Sequence, residues 1–354
     1  MISAGATVLA ALLAIAAALL ALLLLLNRVH RLAEERADRV RDAVGRMLDR
    51  WRERPAASED LACLRGLSAG DGRTALLALL AALPDLDPDA GDRVRRALRD
   101  SRLARHGSAG LSHRSAHRRA EACRIVGRMG GTDAVPRLVE RLGDADPAVR
   151  REAIRALGEV RAVETVDAIA ATIEDMGEWT NLLLVMALVR MGPESAPRIG
   201  TLLGASRSPA MTKALLQVTG RIGVASDVPL VRSLAVHSDP EVRVEAVRVL
   251  GAVAPDAESY AVCLDAMDDA EWPVRALAAW AIGRVGDDRA LARLEGAMGD
   301  PAYWVRHHVA EAMAALGVPG ELALRRALTH DNPFVRDMAT QTIFMRALLD
   351  GEAA

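Results

Sequence analysis

His113 and His117 stand four residues apart, a spacing at which two imidazoles on one helix face can hold a metal ion. They lie among Arg114, Arg118 and Arg119, which would repel a cation, and no adjacent thiol completes the set. His307 and His308 are adjacent. On a helix neighbours point about 100° apart, so the pair cannot readily grip one ion. Cys63, Cys123 and Cys263 are widely spaced in apolar helical patterns, with no Cys-x-x-Cys pair. They read as buried free thiols in a reducing compartment. No catalytic constellation stands out, and the sequence assigns no catalytic, cofactor-binding or metal-ligating residue.

Two rows of arginine recur. Arg150, Arg243, Arg275, Arg306 and Arg336 form one, which would suit an anion ladder or, structurally, pairing with an aspartate of the neighbouring unit. Arg128, Arg190, Arg221 and Arg284 form the other, near predicted helix C-termini, where positive charge complements the helix dipole.

These rows are set by a repeat. Val149, Val242, Val274, Val305 and Val335, with weaker copies at Arg118, Thr180 and Met211, recur about every 31 residues. Three residues earlier stand Asp146, Ser208, Asp239 and Asn332, each followed by proline. A short polar side chain caps a helix N-terminus, and proline suits the first turn, where its missing N–H has no partner to lose. Val242, Ala246, Val249 and Leu250 then mark one apolar face. Twelve residues past the alignment point come Gly130, Gly192, Gly223, Gly286 and Gly317, expected to end the helix in the left-handed conformation. Gly127, Gly158, Gly220, Gly251 and Gly283 recur three residues before that, which predicts close helix–helix contact. Apolar segments at 134–142, 228–236, 289–298 and 321–328 supply a second helix per unit. One helical hairpin cannot bury both faces; stacked hairpins can.

The pattern D-P-x-x-V-R-x-x-A-x-x-x-L-G resembles the HEAT-like repeats of the phycobilisome-lyase type over Ser112–Leu348. The resemblance implies an all-α solenoid of about nine stacked hairpins, with the capped helices lining the concave side. It leaves function open, since such arrays serve scaffolds, adaptors and a few enzymes. Di-iron hydroxylases built on similar repeats use His-Glu pairs, and this chain has none.

The repeat breaks its own rule in two units. Three and six residues past the alignment point, regular copies carry Glu152 and Arg155, or Glu245 and Arg248. The copy at Thr180 has Leu183 and Met186 there, with Leu182 alongside, and the copy at Val274 has Leu277 and Trp280. Apolar residues in place of charged ones on an exposed face predict either a contact patch or local repacking. Trp272, Tyr303 and Trp304 lie nearby, and such aromatics are favoured interface anchors.

Residues 1–27 hold an uncharged run long enough to cross a membrane and read as an anchor. Arg28, Arg31, Arg36, Arg39, Arg41 and Arg46 follow it. The positive-inside rule then places the chain as single-pass in the inner membrane, N-terminus out and solenoid in the cytoplasm. Residues 28–54 read as a juxtamembrane helix. Ala33, Ala37, Val40, Val44, Met47 and Trp51 form a short heptad seam, so residues 33–51 offer a homodimer contact or a face for packing on the array. Divergent hairpins are expected at 58–111, with a loop at 104–111, and the regular array over 112–350.

Hydrophobic residues make up 51% of the 354, aromatics only 3%, so the core is packed mainly with Ala, Leu and Val. A net charge of −2 argues against nucleic acid as a partner. The expected role is a membrane-tethered cytoplasmic scaffold that binds a protein partner, such as a membrane enzyme or assembly, in the solenoid groove. The other readings are an enzyme of the lyase type with a groove pocket, and a structural membrane-anchored dimer.

Overall fold

The computed structural model describes residues 2–53, 69–99, 107–174 and 181–352, and on the first helix the described side chains begin at Leu20. Among the described residues there is no strand. The chain divides into two compact units, Met1–Arg141 and Leu142–Ala354.

The first unit holds α1 (Ile2–Glu53), α2 (Ala69–Ala82), α3 (Pro88–Arg99), α4 (Ala116–Met129) and most of α5 (Val135–Leu142). Val44, Met47 and Leu48 of α1 are buried among Leu76, Leu79 and Leu80 of α2 and Val94 and Leu98 of α3. Arg36 reaches Asp71 at 2.7 Å, and Arg73 pairs with Glu121. That pair holds the Glu121 carboxyl below its usual range, against the opposing effect of burial. Instead of the expected loop, Gly107–Ala109 is helical and Gly110–Ser112 forms a 3-10 turn. Residues 58–68 and 100–106 of the expected divergent hairpins, with Cys63, the side chain of Trp51 and the alignment residue Thr180, lie outside the description.

Two expectations for α1 are corrected. The homodimer through residues 33–51 finds no support, because Val44 and Met47 of that seam face the core of their own chain. One helix face cannot serve two partners. The single-pass membrane placement, with the array in the cytoplasm, is overturned as well. Among the described residues no helix is long and apolar enough to cross a membrane. Within residues 1–27, the side chains of Leu20 and of Leu23 to Asn27 are described, and they are exposed. The expected anchor at 1–27 otherwise falls on side chains outside the description.

The second unit stacks capped helices: α6 (Pro147–Val160), α8 (Asn181–Met191), α10 (Pro209–Ile222), α12 (Pro240–Val253), α14 (Trp272–Val285), α16 (Tyr303–Ala315) and α18 (Pro333–Glu352). Each packs on the next. Between them lie α7 (Val166–Glu174), α9 (Ala196–Ala205), α11 (Val228–Leu234), α13 (Ala257–Asp265), α15 (Leu291–Ala297) and α17 (Val318–Ala327).

The caps form as the residue types dictate. Asp146 accepts the Ala148 N–H at 2.8 Å, Asp239 that of Glu241 at 2.8 Å, and Asn332 that of Phe334 at 2.9 Å. At the helix ends the five predicted glycines have positive φ, from 61° at Gly130 to 81° at Gly192, but only Gly223 and Gly286 are left-handed as expected, while Gly130, Gly192 and Gly317 turn away with extended ψ. In α6 the same offset falls on Arg161, which adopts φ 59° without the freedom of glycine. Inside the stack, a Cβ on Gly158 would stand 2.8 Å from the Ala187 Cα, and one on Gly251 2.5 Å from the Ala281 Cβ. Small residues at these crossings let the capped helices approach closely.

Candidate docking surface

The loops between units are held by a repeated polar device. Five residues before six of the alignment points, a side chain accepts the backbone N–H of the cap residue two positions on. His113, Asp144, His237, Asp269, Asp300 and His330 all do so, at 2.8–3.0 Å. One residue after the alignment point, an arginine donates Nη1 to two carbonyls of its own loop. Arg243 clamps His237 and Ser238, Arg275 clamps Asp269 and Ala270, and Arg306 clamps Asp300 and Pro301.

The other edge of the guanidinium ties neighbouring units. Arg243 donates Nε and Nη2 to Asp269 at 2.8 Å each, and Arg275 donates the same pair to Asp300 at 2.8 and 3.1 Å. Burial by itself raises the pKa of Asp269 and Asp300, but hydrogen bonds from the arginines and from backbone N–H groups outweigh it, leaving both carboxyls lowered. This row of arginine is therefore structural along Arg243 and Arg275. His113 spends its Nδ1 on the Ser115 N–H, so that nitrogen is not available to a metal.

The face carrying the third and sixth residues past each alignment point is polar in the regular units. Arg155 pairs with Glu152 and Arg248 with Glu245. Gln217 donates to Glu245 at 2.8 Å and Lys213 pairs with Glu241, knitting α10 to α12. On α8 the same face is apolar. Leu182 is 62% and Met186 46% exposed, with Leu183 half-buried between them. On α14, Leu277 and Trp280 are half-buried. The Trp280 ring lies over Gly251 of α12, and the Arg284 guanidinium stands 5.5 Å from its centroid. Trp280 is thus partly packed within the chain, whereas Leu182 and Met186 remain open.

Trp272, Tyr303 and Trp304 are exposed at the first turns of α14 and α16. Tyr303 and Trp304 meet edge to face with centroids 5.4 Å apart, and His307 stacks on Tyr303 at 6.1 Å. His308 is half-buried, and its pKa is lowered by that burial and by neighbouring His307, with Glu311 opposing. The structure therefore gathers Tyr303 and Trp304 into one aromatic corner. Leu182 and Met186 form a separate patch. Sequence reading missed Phe334, which is half exposed and lies 4.6 Å over the Arg306 guanidinium. Its signal was available: an aromatic directly before an alignment valine, as at Trp304.

Among the described residues no group of three His, Cys, Asp or Glu could hold a metal ion. Cys123 and Cys263 are buried, and burial pushes the Cys263 thiol up to about 12, so it is not nucleophilic near neutral pH. A crevice of about 460 Å³ opens beside Arg232, Arg243, Asp265 and Asp269. Its two arginines are already paired, with Asp256 and Asp269. The described surface thus presents exposed apolar side chains and aromatic faces beside paired charges.

Comparison with known proteins agrees on the repeat. Residues 108–188 and 260–343 match the model of HEAT repeats. No curated protein matches the chain in sequence. A chain from the structure of Kap95p binding to RanGDP is similar over 80% of this chain and 46% of its own, at 14% identity and TM-score 0.52. The karyopherin Kap121p bound to the SUMO protease Ulp1p is similar over 88% of this chain and 41% of its own, at 12% identity and TM-score 0.51. An engineered protein aligns over 88% of this chain and 95% of its own, at 19% identity and TM-score 0.41. The chain spans less than half the length of either karyopherin-type structure. At these identities the likeness shows the fold: an all-helical, solenoid-like HEAT-repeat architecture.

Proposed function

We propose that this HEAT-repeat chain is a non-enzymatic scaffold that docks a protein partner on the exposed face of its capped helices. The observation that carries the reading is the pair Leu182 and Met186. They are open to solvent on a face where α6, α10 and α12 carry paired charges. Covering the part of each that is still exposed gains on the order of 1 kcal/mol. Nothing on the described surface of the chain covers them.

Leu277 and Trp280 supply a second apolar stop on the same offsets. Capped helices pack about 8–10 Å apart, so three steps from α8 to α14 put the two stops roughly 25–30 Å apart. An extended partner segment of about eight residues spans that distance. Trp272, Tyr303 and Trp304 extend the surface toward the C-terminal end. The reading invokes no metal, cofactor or nucleic acid.

Site-specific photocrosslinking tests it. A photoreactive residue at 182, 186 or 280 is expected to capture one and the same protein. The same probe at 155 or 217, polar positions of that face, is expected not to. Equal capture at all five positions would overturn the assignment.

A further inference from the structure

Arg306 repeats the pose of Arg243 and Arg275 but lacks their partner. Its Nη1 clamps the Asp300 and Pro301 carbonyls at 2.7 and 3.0 Å, as the other two clamp theirs. The side chain is 92% buried by its 8% exposure, and its Nε is buried with no acceptor. On the two preceding rungs this same edge is filled by Asp269 and Asp300. The corresponding position of the last unit is His330.

His330 cannot take the place of the aspartate. Its Nδ1 accepts the Asn332 N–H at 3.0 Å, so the neutral ring carries its proton on Nε2 and presents a donor. A donor does not satisfy a guanidinium. Among the described residues no carboxylate is bonded to the Nε edge of Arg306. The guanidinium carbon lies over the Phe334 ring at 4.6 Å and over the Tyr303 ring at 5.9 Å. Two parallel N–H donors on one guanidinium edge match a planar carboxylate. Phe334, the nearer of the two rings, is half exposed.

We propose that the Nε–Nη2 edge of Arg306 binds a carboxylate, an aspartate or glutamate side chain of a protein partner, in the place that Asp269 and Asp300 take on the preceding rungs. That a protein brings the carboxylate rests on the docking reading above; the open rung does not. Exposed Trp304, Tyr303 and Phe334 around it favour an acidic residue flanked by aromatic or apolar ones.

The test uses the full chain and two fluorescein-labelled peptide amides, Gly-Trp-Asp-Trp-Gly and its Asn twin, with anisotropy as readout. A hydrogen bond to a charged group is worth about 1.5–3 kcal/mol, so the Asp peptide is expected to bind about ten- to a hundredfold more tightly. His330→Asp supplies the carboxylate in cis, since an aspartate there can accept the Asn332 N–H as Asp300 accepts that of Ala302. This variant is expected to unfold at or above the wild-type temperature and to bring the peptide ratio to about one. Arg306→Gln is expected to do the same to the ratio. A ratio near one in the wild type, absent binding of both peptides included, overturns the proposal. So does a preference that survives in His330→Asp, or a lowered unfolding temperature of that variant. Leu182→Glu with Met186→Glu probes the docking surface alone, so failure of one claim is read separately from failure of the other.

Discussion

Gly283 of α14 faces Ala312 of α16 so closely that a methyl group built on the glycine would stand 2.8 Å from the Ala312 Cα. The obstructing atom is backbone, not the movable end of a side chain. The same relationship links Gly158 to Ala187 at 2.8 Å. These contacts explain a core that is rich in alanine and nearly free of aromatics: large side chains would hold the helices apart.

Gly283→Ala is expected to destabilise the chain. Alanine gains about 1 kcal/mol over glycine in a helix interior, but overpacking against backbone costs typically 1–3 kcal/mol. The net loss is up to about 2 kcal/mol, read as a lower urea midpoint. A midpoint at or above wild type would show that the helices can part without penalty.

Arg161→Gly is expected to stabilise it. The left-handed conformation costs a residue with a Cβ about 1–2 kcal/mol, which glycine avoids. Glycine also raises the entropy of the unfolded chain, so the net gain is about 0.5–1 kcal/mol. Gly223 and Gly286, at the same offset in two other units, adopt this left-handed conformation; a lower thermal midpoint of the variant would contradict the prediction.

Acid unfolding is expected in two stages. The folded His308 pKa lies below 6.5, because burial disfavours the imidazolium. Its contribution is therefore complete above the unfolded value and is lost as pH falls through the lowered folded one. Asp269 and Asp300 lie below 3.8 despite burial, held there by Arg243 and Arg275. Their contribution is complete above about 3.8 and is lost on further acidification. His308→Gln should remove the first stage in urea titrations across pH, and Asp300→Asn should shrink the second. A single transition unaffected by either variant would contradict these assignments.

Removing a rung tests its energetic role. Asp269→Ala leaves Arg243 with an unfilled edge and is expected to cost about 1.5–3 kcal/mol, against less than about 0.5 kcal/mol for exposed Asp337→Ala. Equal effects would reduce the ladder to surface decoration.

Much of this was legible in the residues themselves. Asp239-Pro240 and its counterparts announce helix starts because a short carboxylate and a fixed φ each solve a problem specific to a first turn. Gly286 and its counterparts announce the ends because few other residues reach positive φ at low cost. The open rung at Arg306 was not legible. Asp331 stands beside the expected place, and only the geometry shows that the accepting position is five residues before the alignment valine, where His330 sits. The fate of the α1 seam was equally hidden, since Val44 and Met47 carry the same pattern whether they meet a second copy or α2. At Trp280, periodicity marked an apolar intruder but could not show that Gly251 leaves a shelf for its ring.

The docking account stands most directly on Leu182 and Met186. The full chain with both changed to Glu is to be compared with wild type for thermal stability and for recovery of the crosslinked partner. The account predicts stability within about 0.5 kcal/mol, as for exposed sites, together with loss of the partner. A folded double variant that still recovers the partner in full would contradict it.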